Sequence, residues 1–200
     1  MDSAIETVCR AALGLMILGV ATIGVPRRRR ADRVGGRISI RHDPPWFWWG
    51  MAIVGPPVVL VCGLFLLQPR WVDASMFALP GWLRLTGVGF GAAGAALFAW
   101  MFRHLDLNVT STAEPRERAT LVTSGPYRWV RHPMYTAALT LALAATCLTA
   151  NGIVGVGGAA MFGLLAVRSR IEEARLVAKF GERYRDYQAR TGRFLPRWRS

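Results

Sequence analysis

Residues 121–167 read LVTSGPYRWVRHPMYTAALTLALAATCLTANGIVGVGGAAMFGLLAV. A polar and aromatic cluster runs directly into an apolar stretch at 134–150. A second stretch follows at 153–167, after only Asn151-Gly152. A helix that crosses a bilayer needs about 20 predominantly apolar residues. These two stretches are short and nearly contiguous, so they read as a tight helical hairpin. Working outward, three longer apolar segments cover 5–25, 46–67 and 82–102. The expected fold class is an all-α integral membrane protein with about five transmembrane helices, the last two a hairpin, and a cytosolic helical C-terminal region. Residues 1–102 form a three-helix membrane region in this reading, and 103–200 carry the hairpin and tail.

Charge placement supports the same picture. The chain has 25 Lys and Arg against 12 Asp and Glu, a net charge of +13, with a mean hydropathy of +0.28. Nearly all the cations fall in 27–41, 103–131 and 168–199, which leaves Arg10, Arg70 and Arg84 near the opposite face. This is the positive-inside pattern, with the N-terminus outside and the C-terminus in the cytoplasm. A basic face of this kind attracts anionic lipid headgroups, whereas basic and aromatic residues interleaved without a binding motif argue weakly for nucleic acid. The first segment begins with Asp2 and Glu6 and is followed by Arg27 to Arg30, flanks that suit a retained helix and not a cleaved signal. The Arg-rich, Lys-poor composition suggests a GC-rich genome, and the expected location is a prokaryotic plasma membrane. Cys9, Cys62 and Cys147 lie singly in apolar segments and suggest no disulfide or metal framework.

Prolines 44 and 45 punctuate the entry to the second helix, and Trp46 to Trp49 read as an interfacial aromatic belt. Gly89 to Gly94 match the dinucleotide fingerprint GxGxxG, but no strand precedes them and they sit inside an apolar helix. Close helix packing is the better reading, as it is for Gly155, Ala159 and Gly163 at four-residue spacing.

Chemistry is expected where two polar clusters meet at one face of the bundle. In the first, Pro133 disfavours helical geometry at His132 and itself suits the first helical position. Arg131 and His132 would then sit at a helix N-terminus, where anions are favoured, with Tyr135 in the first turn. The plainer alternative is that Arg131 binds a lipid phosphate and Tyr127, Trp129 and Tyr135 belong to the aromatic belt. In the second cluster, Arg168, Glu172 and Lys179 can share a helix face, and Glu172 and Glu173 point about 100° apart. Leu176, Phe180, Tyr184 and Tyr187 form one face of a helix interrupted near Gly181, followed by an irregular basic ending from Thr191. His42 and His104 form no metal-binding pattern with His132.

The run Leu121-Val122-Thr123-Ser124-Gly125-Pro126-Tyr127, followed by Arg131-His132-Pro133-x-Tyr135, resembles the isoprenylcysteine carboxyl methyltransferase family. So does Arg170-x-Glu172-Glu173 with Leu176, Phe180-Gly181, Tyr184 and Tyr187. The wider relatives include phospholipid N-methyltransferases and certain membrane sterol-type reductases. The resemblance covers about residues 103–196; Asn108 also looks like a family position, and Ala137 stands where the family commonly has Gly. It implies S-adenosyl-L-methionine as methyl donor, held in the cytosolic C-terminal region. By motif, Leu121, Val122, Gly125, Tyr127, His132, Pro133 and Tyr135 would line the cofactor site, and Glu172 and Glu173 would hold its polar groups. Arg131, Arg168 and Arg170 become candidates for recognising a substrate carboxylate. The function implied is methyl transfer to a lipophilic or lipid-anchored acceptor, with an isoprenoid-linked or lipid carboxylate leading. An NADPH-dependent reductase and a non-catalytic protein that binds anionic lipids are the alternatives; oligomeric state is not legible.

Overall fold

The computed structural model describes residues 3–35, 43–105 and 120–197. Six helices follow one another among these residues: α1 (Ser3–Gly35), α2 (Pro45–Leu67), α3 (Gly81–Leu105), α4 (Pro133–Thr149), α5 (Gly152–Phe180) and α6 (Glu182–Arg190). No strand forms among them beyond two isolated bridges. Helices α1, α2, α3 and α5 are long and apolar enough to cross a membrane, and α4 is a shorter apolar helix of 17 residues, about 26 Å at 1.5 Å per residue.

Two helices overrun their apolar stretches. α1 continues beyond the apolar segment 5–25, through Pro26 and the arginines, to Gly35. α5 runs unbroken for 29 residues, about 44 Å, so its last turns extend beyond a hydrocarbon core of about 30 Å. Hydropathy ends at Val167, but Arg, Glu, Ala and Leu are good helix formers and the helix carries on. It stops at Gly181, whose φ of 58° favours glycine. Arg168 to Phe180 are thereby fixed to the membrane bundle as one rigid rod.

α3 packs along α4 and α1, and α2 packs along α5. Small residues set these contacts. A Cβ at Gly94 would lie 2.9 Å from Leu141 Cγ, and one at Gly87 would lie 2.9 Å from the Ala144 carbonyl oxygen. Of the fingerprint glycines, Gly91 and Gly94 face neighbouring helices while Gly89 faces open space, so packing accounts for two of the three. In α5 the spacing misjudged the phase: a Cβ at Gly163 meets nothing within 4 Å and Ala159 is exposed. Gly157 against Val58 and Gly158 against Ala142 make the close approaches, together with Gly155 against Thr146. Spacing of small residues indicates a packing face but not which way it is turned.

The hairpin is as tight as its two-residue connection implied. Ala150 adopts the left-handed conformation after α4, and the Asn151 side chain caps α5 by accepting from the Ile153 and Val154 amides at 3.0 and 3.3 Å. Asn151 Nδ2 donates to Ser75 Oγ at 2.7 Å, which ties the turn to the 3-10 segment Pro69–Ser75. Buried Arg84 donates to the Leu148 carbonyl at 2.8 Å, and so satisfies one of the last carbonyls of α4.

Candidate functional site

The chemistry-bearing residues gather where α4 begins and α5 overruns its apolar stretch. A turn at Gly125–Arg128 leads into α4, and its entry needs glycine: Gly125 has a φ of 60°, and a Cβ there would lie 2.5 Å from His104 Cγ. Tyr127 then turns inward against the cluster of Ala31, Met101 and Phe102. Its carbonyl accepts from Tyr187 Oη at 2.6 Å, so α6 is pinned to this turn. Burial raises the pKa of the Tyr127, Tyr184 and Tyr187 phenols, with nearby Glu172 or Glu173 adding to the rise, so all three stay protonated.

His132 is the N-cap of α4, with φ −119° and ψ 62°, and Pro133 follows it as the first helical residue. Its ring stacks on Tyr135 with centroids 5.1 Å apart and planes 15° apart. The anions at this helix N-terminus are the protein's own. His132 Nε2 lies 3.2 Å from Glu173 Oε1, and His132 Nδ1 lies 3.9 Å from Glu172 Oε2.

The two neighbouring glutamates have different surroundings. Glu173 accepts from Arg131 Nε at 2.8 Å, Arg193 Nη2 at 2.6 Å and Gln188 Nε2 at 3.3 Å, as well as facing His132. Its side chain is 6% exposed. Glu172 is 27% exposed; its Oε2 accepts from Tyr135 Oη at 2.8 Å, and its Oε1 takes no hydrogen bond among the described residues. Arg168 stands behind this pair. Its Nη1 donates to Tyr135 Oη and lies 3.8 Å from Glu172 Oε2, while Nη2 donates to Asp43 Oδ2 at 3.2 Å.

Arg131 is committed to structure on two edges. Besides Glu173, it donates through Nη1 to the carbonyls of Gln188 and Thr191. It therefore clamps the end of α6 and the following segment onto α4. Backbone pairing reinforces the clamp: the Arg131 amide donates to Gly192 O at 2.9 Å and the His132 amide to Arg193 O at 3.0 Å. The carbonyl of Phe194 accepts from Thr136 Oγ1 at 2.6 Å. The Phe194 ring closes over His132, Tyr135 and Phe162.

Of the residues expected from sequence, Arg131, His132, Pro133, Tyr135, Arg168, Glu172 and Glu173 thus converge. Tyr127 lies close enough to interact electrostatically with Glu172. Leu121 lines a cleft of about 430 Å³ beside the cluster, with Thr123, Arg128, Arg183, Asp186, Tyr187, Arg190 and Thr191. Val122 is half-buried next to it. Arg170 is exposed, about 200° around α5 from Arg168, and the fold does not bring it to the cluster. Ala137 is fully buried in α4. Asn108 and His42 lie outside the described residues. Asp43, Gln188, Arg193 and Phe194 belong to the cluster without having been singled out. The only trace of them in sequence was an acid next to two prolines and a basic ending after Thr191.

Comparison with known proteins gives a consistent picture. Residues 88–178 match the family described as the isoprenylcysteine carboxyl methyltransferase (ICMT) family. The human protein-S-isoprenylcysteine O-methyltransferase is 35% identical over 123 residues, 58% of this chain and 42% of that protein. The mouse protein is 33% identical over 118 residues. Methanethiol S-methyltransferase of Pseudomonas deceptionensis is 28% identical over 169 residues, 74% of this chain and 63% of that protein. The chain spans less than half the length of the human and mouse relatives. A solved structure of the eukaryotic intramembrane Ras methyltransferase ICMT superposes with a TM-score of 0.53 at 20% identity. It covers 90% of this chain and 60% of its own, and shares the fold. The matched residues 88–178 hold α4, nearly all of α5 and both glutamates, so the polar cluster lies within the part of the chain that is similar to the isoprenylcysteine carboxyl methyltransferase family.

Proposed function

We propose that this protein transfers a methyl group from S-adenosyl-L-methionine to a lipophilic acceptor where the helix bundle meets the cytosol. The observation that carries the reading is the gathering of Arg131, His132, Tyr135, Arg168, Glu172 and Glu173 at one end of an apolar hairpin. Their match to a methyltransferase family supports it. The N-terminus outside and the C-terminal region in the cytoplasm complete the proposal.

The residues present fit the donor. S-adenosylmethionine joins a sulfonium and an ammonium to a carboxylate and an adenine, so it needs anionic, cationic and flat apolar surroundings within one site. Glu172 offers an open carboxylate oxygen for the cationic groups, and Arg128, Arg183 and Arg190 offer charge for an anionic one in the adjoining cleft. Glu173, with both oxygens engaged, acts as the strut that holds Arg131 and Arg193 in place. When bound, the donor supplies an electrophilic methyl group, and the residues need only hold the two reactants in line. A carboxylate acceptor is nucleophilic when ionised and requires no general base. Arg131 has donors left on Nη2 among the described residues, enough to orient one oxygen without enclosing both.

O-methylation of an isoprenoid-linked carboxylate is the leading acceptor chemistry. S-methylation of a small thiol is the second reading, favoured by the match that extends over 74% of the chain to the methanethiol enzyme. Calorimetry on purified protein in detergent decides the cofactor: saturable one-site binding of S-adenosylhomocysteine, with none of NADPH, is expected. Binding of NADPH alone would move the protein to the reductases, and binding of neither would leave the lipid-binding reading. Methyl-labelled donor with N-acetyl-S-farnesylcysteine or with methanethiol then separates carboxylate from thiol.

A further inference from the structure

Asp43 precedes α2, outside residues 88–178, yet it is 2% exposed and faces the site. Its Oδ2 accepts from Arg168 at 3.2 Å, and its Oδ1 lies 3.9 Å from Arg175 Nη1. Phe47, one turn into α2, lies under the Arg168 guanidinium at 4.9 Å. The same guanidinium donates to Tyr135 Oη and stops 3.8 Å short of Glu172 Oε2. Arg168 is buried and always charged, so it must be matched by carboxylates and not by water. Glu172, at the i+4 position of the same helix, is an obvious partner, and guanidinium–carboxylate pairs strongly favour direct, two-bonded contact. The Tyr135 hydroxyl bridges the two, and on the far edge of the guanidinium Asp43 supplies an opposing pull from another element.

We infer that Asp43 is a positioning residue which holds the Arg168 guanidinium off Glu172, so that Glu172 keeps a carboxylate oxygen available for a bound cation. The last clause rests on the methyl-donor reading; the restraint itself does not. In Asp43→Asn the amide keeps the shape but loses the charge. Arg168 then has Glu172 as its nearest carboxylate and closes onto it. The segment before α2 thereby sets the state of a motif residue that lies 129 positions later in the sequence.

Two measurements on the whole 200-residue chain in detergent test this. The first needs no ligand: a melting cycle of Asp43→Asn, Glu172→Gln and the double variant. Contacting or coupled residues give non-additive effects. Glu172→Gln is expected to lower the melting temperature by at least about 2 °C more in the Asp43→Asn background than in the parent, because Glu172 has become the main partner of Arg168. Additive shifts overturn the restraint. The second is calorimetry with S-adenosylhomocysteine. Asp43→Asn should weaken binding about tenfold, and Asp43→Asn combined with Arg168→Gln should return it to within about threefold of the parent. A double variant that binds as weakly as the single one, or more weakly, overturns the claim that Arg168 occupies Glu172. If the parent itself binds no homocysteine compound, the methyl-donor reading fails, and the melting cycle still decides what Asp43 does.

Discussion

Glu173→Gln separates a strut from a ligand contact, because the two roles predict opposite balances of stability and binding. The substitution keeps size and one acceptor but removes the charge that faces Arg131 at 2.8 Å and Arg193 at 2.6 Å. It also turns an amide donor toward two cations. Breaking a buried ion pair costs about 3–5 kcal/mol. The Arg193 side chain is 35% exposed, so water recovers part of that loss and the lower end, about 3 kcal/mol, is the appropriate figure. A protein of this size loses roughly 2–4 °C of melting temperature per kcal/mol, so the expected drop is about 6–12 °C. A thiol-reactive fluorogenic dye reads the melt directly, since Cys9 and Cys62 are buried and become reactive on unfolding. Glu172→Gln keeps an acceptor for Tyr135 and loses the charge that faces Arg168 at 3.8 Å and His132 at 3.9 Å; at a partly exposed position, with neither contact a close ion pair, it should cost about 1 kcal/mol. The strut reading therefore requires Glu173→Gln to melt well below Glu172→Gln. It also requires Glu172→Gln to bind S-adenosylhomocysteine more weakly than its small stability loss would suggest. A Glu173→Gln protein that melts within about 2 °C of the parent would refute the reasoning.

Helix packing around the fingerprint glycines is tested by a pair of alanines. Gly94→Ala pushes on Leu141 and should cost about 1–3 kcal/mol, while Gly89→Ala meets open space and should leave the melt unchanged or slightly raised. A requirement for Gly89 in cofactor binding would reverse that order and revive a nucleotide role. Asn151→Ala removes the cap of α5 and leaves Ser75 without its donor, a loss of about 1–2 kcal/mol by the same dye assay. Gly125→Ala combines a left-handed backbone with a clash against His104, so it should lose about 1–3 kcal/mol and impair donor binding, both measurable on one preparation.

Hydropathy made the bundle legible because lipid admits only helices and closed barrels, and each apolar block in the sequence became a helix. It did not mark helix ends. The alphabet of α5 after Val167 is polar but helix-forming, so a reading by hydropathy stops where the membrane does and misses that the polar cluster is carried on the same rod. The site was legible in proportion to its locality. Gly125, His132, Pro133 and Tyr135 announce themselves by backbone geometry within a few residues, and Arg168 and Glu172 by i,i+4 spacing. Asp43 and Arg193 join through contacts that span 125 and 20 positions, for which no periodicity exists. The same distinction explains why one Glu of a consecutive pair is filled and its neighbour open. On a helix they diverge by about 100°, and whichever faces the returning C-terminal segment meets Arg193 and Gln188. That segment, and not the glutamate motif itself, determines which carboxylate is left for a ligand. Shortening the chain at Thr191 should then release Glu173 from Arg193 and uncover the His132–Tyr135 stack now beneath Phe194. Donor binding should be lost even though every motif residue is present. Retained affinity in the shortened protein would show that the returning segment does not shape the donor site, since Glu172 keeps Tyr135, His132 and Arg168 around it.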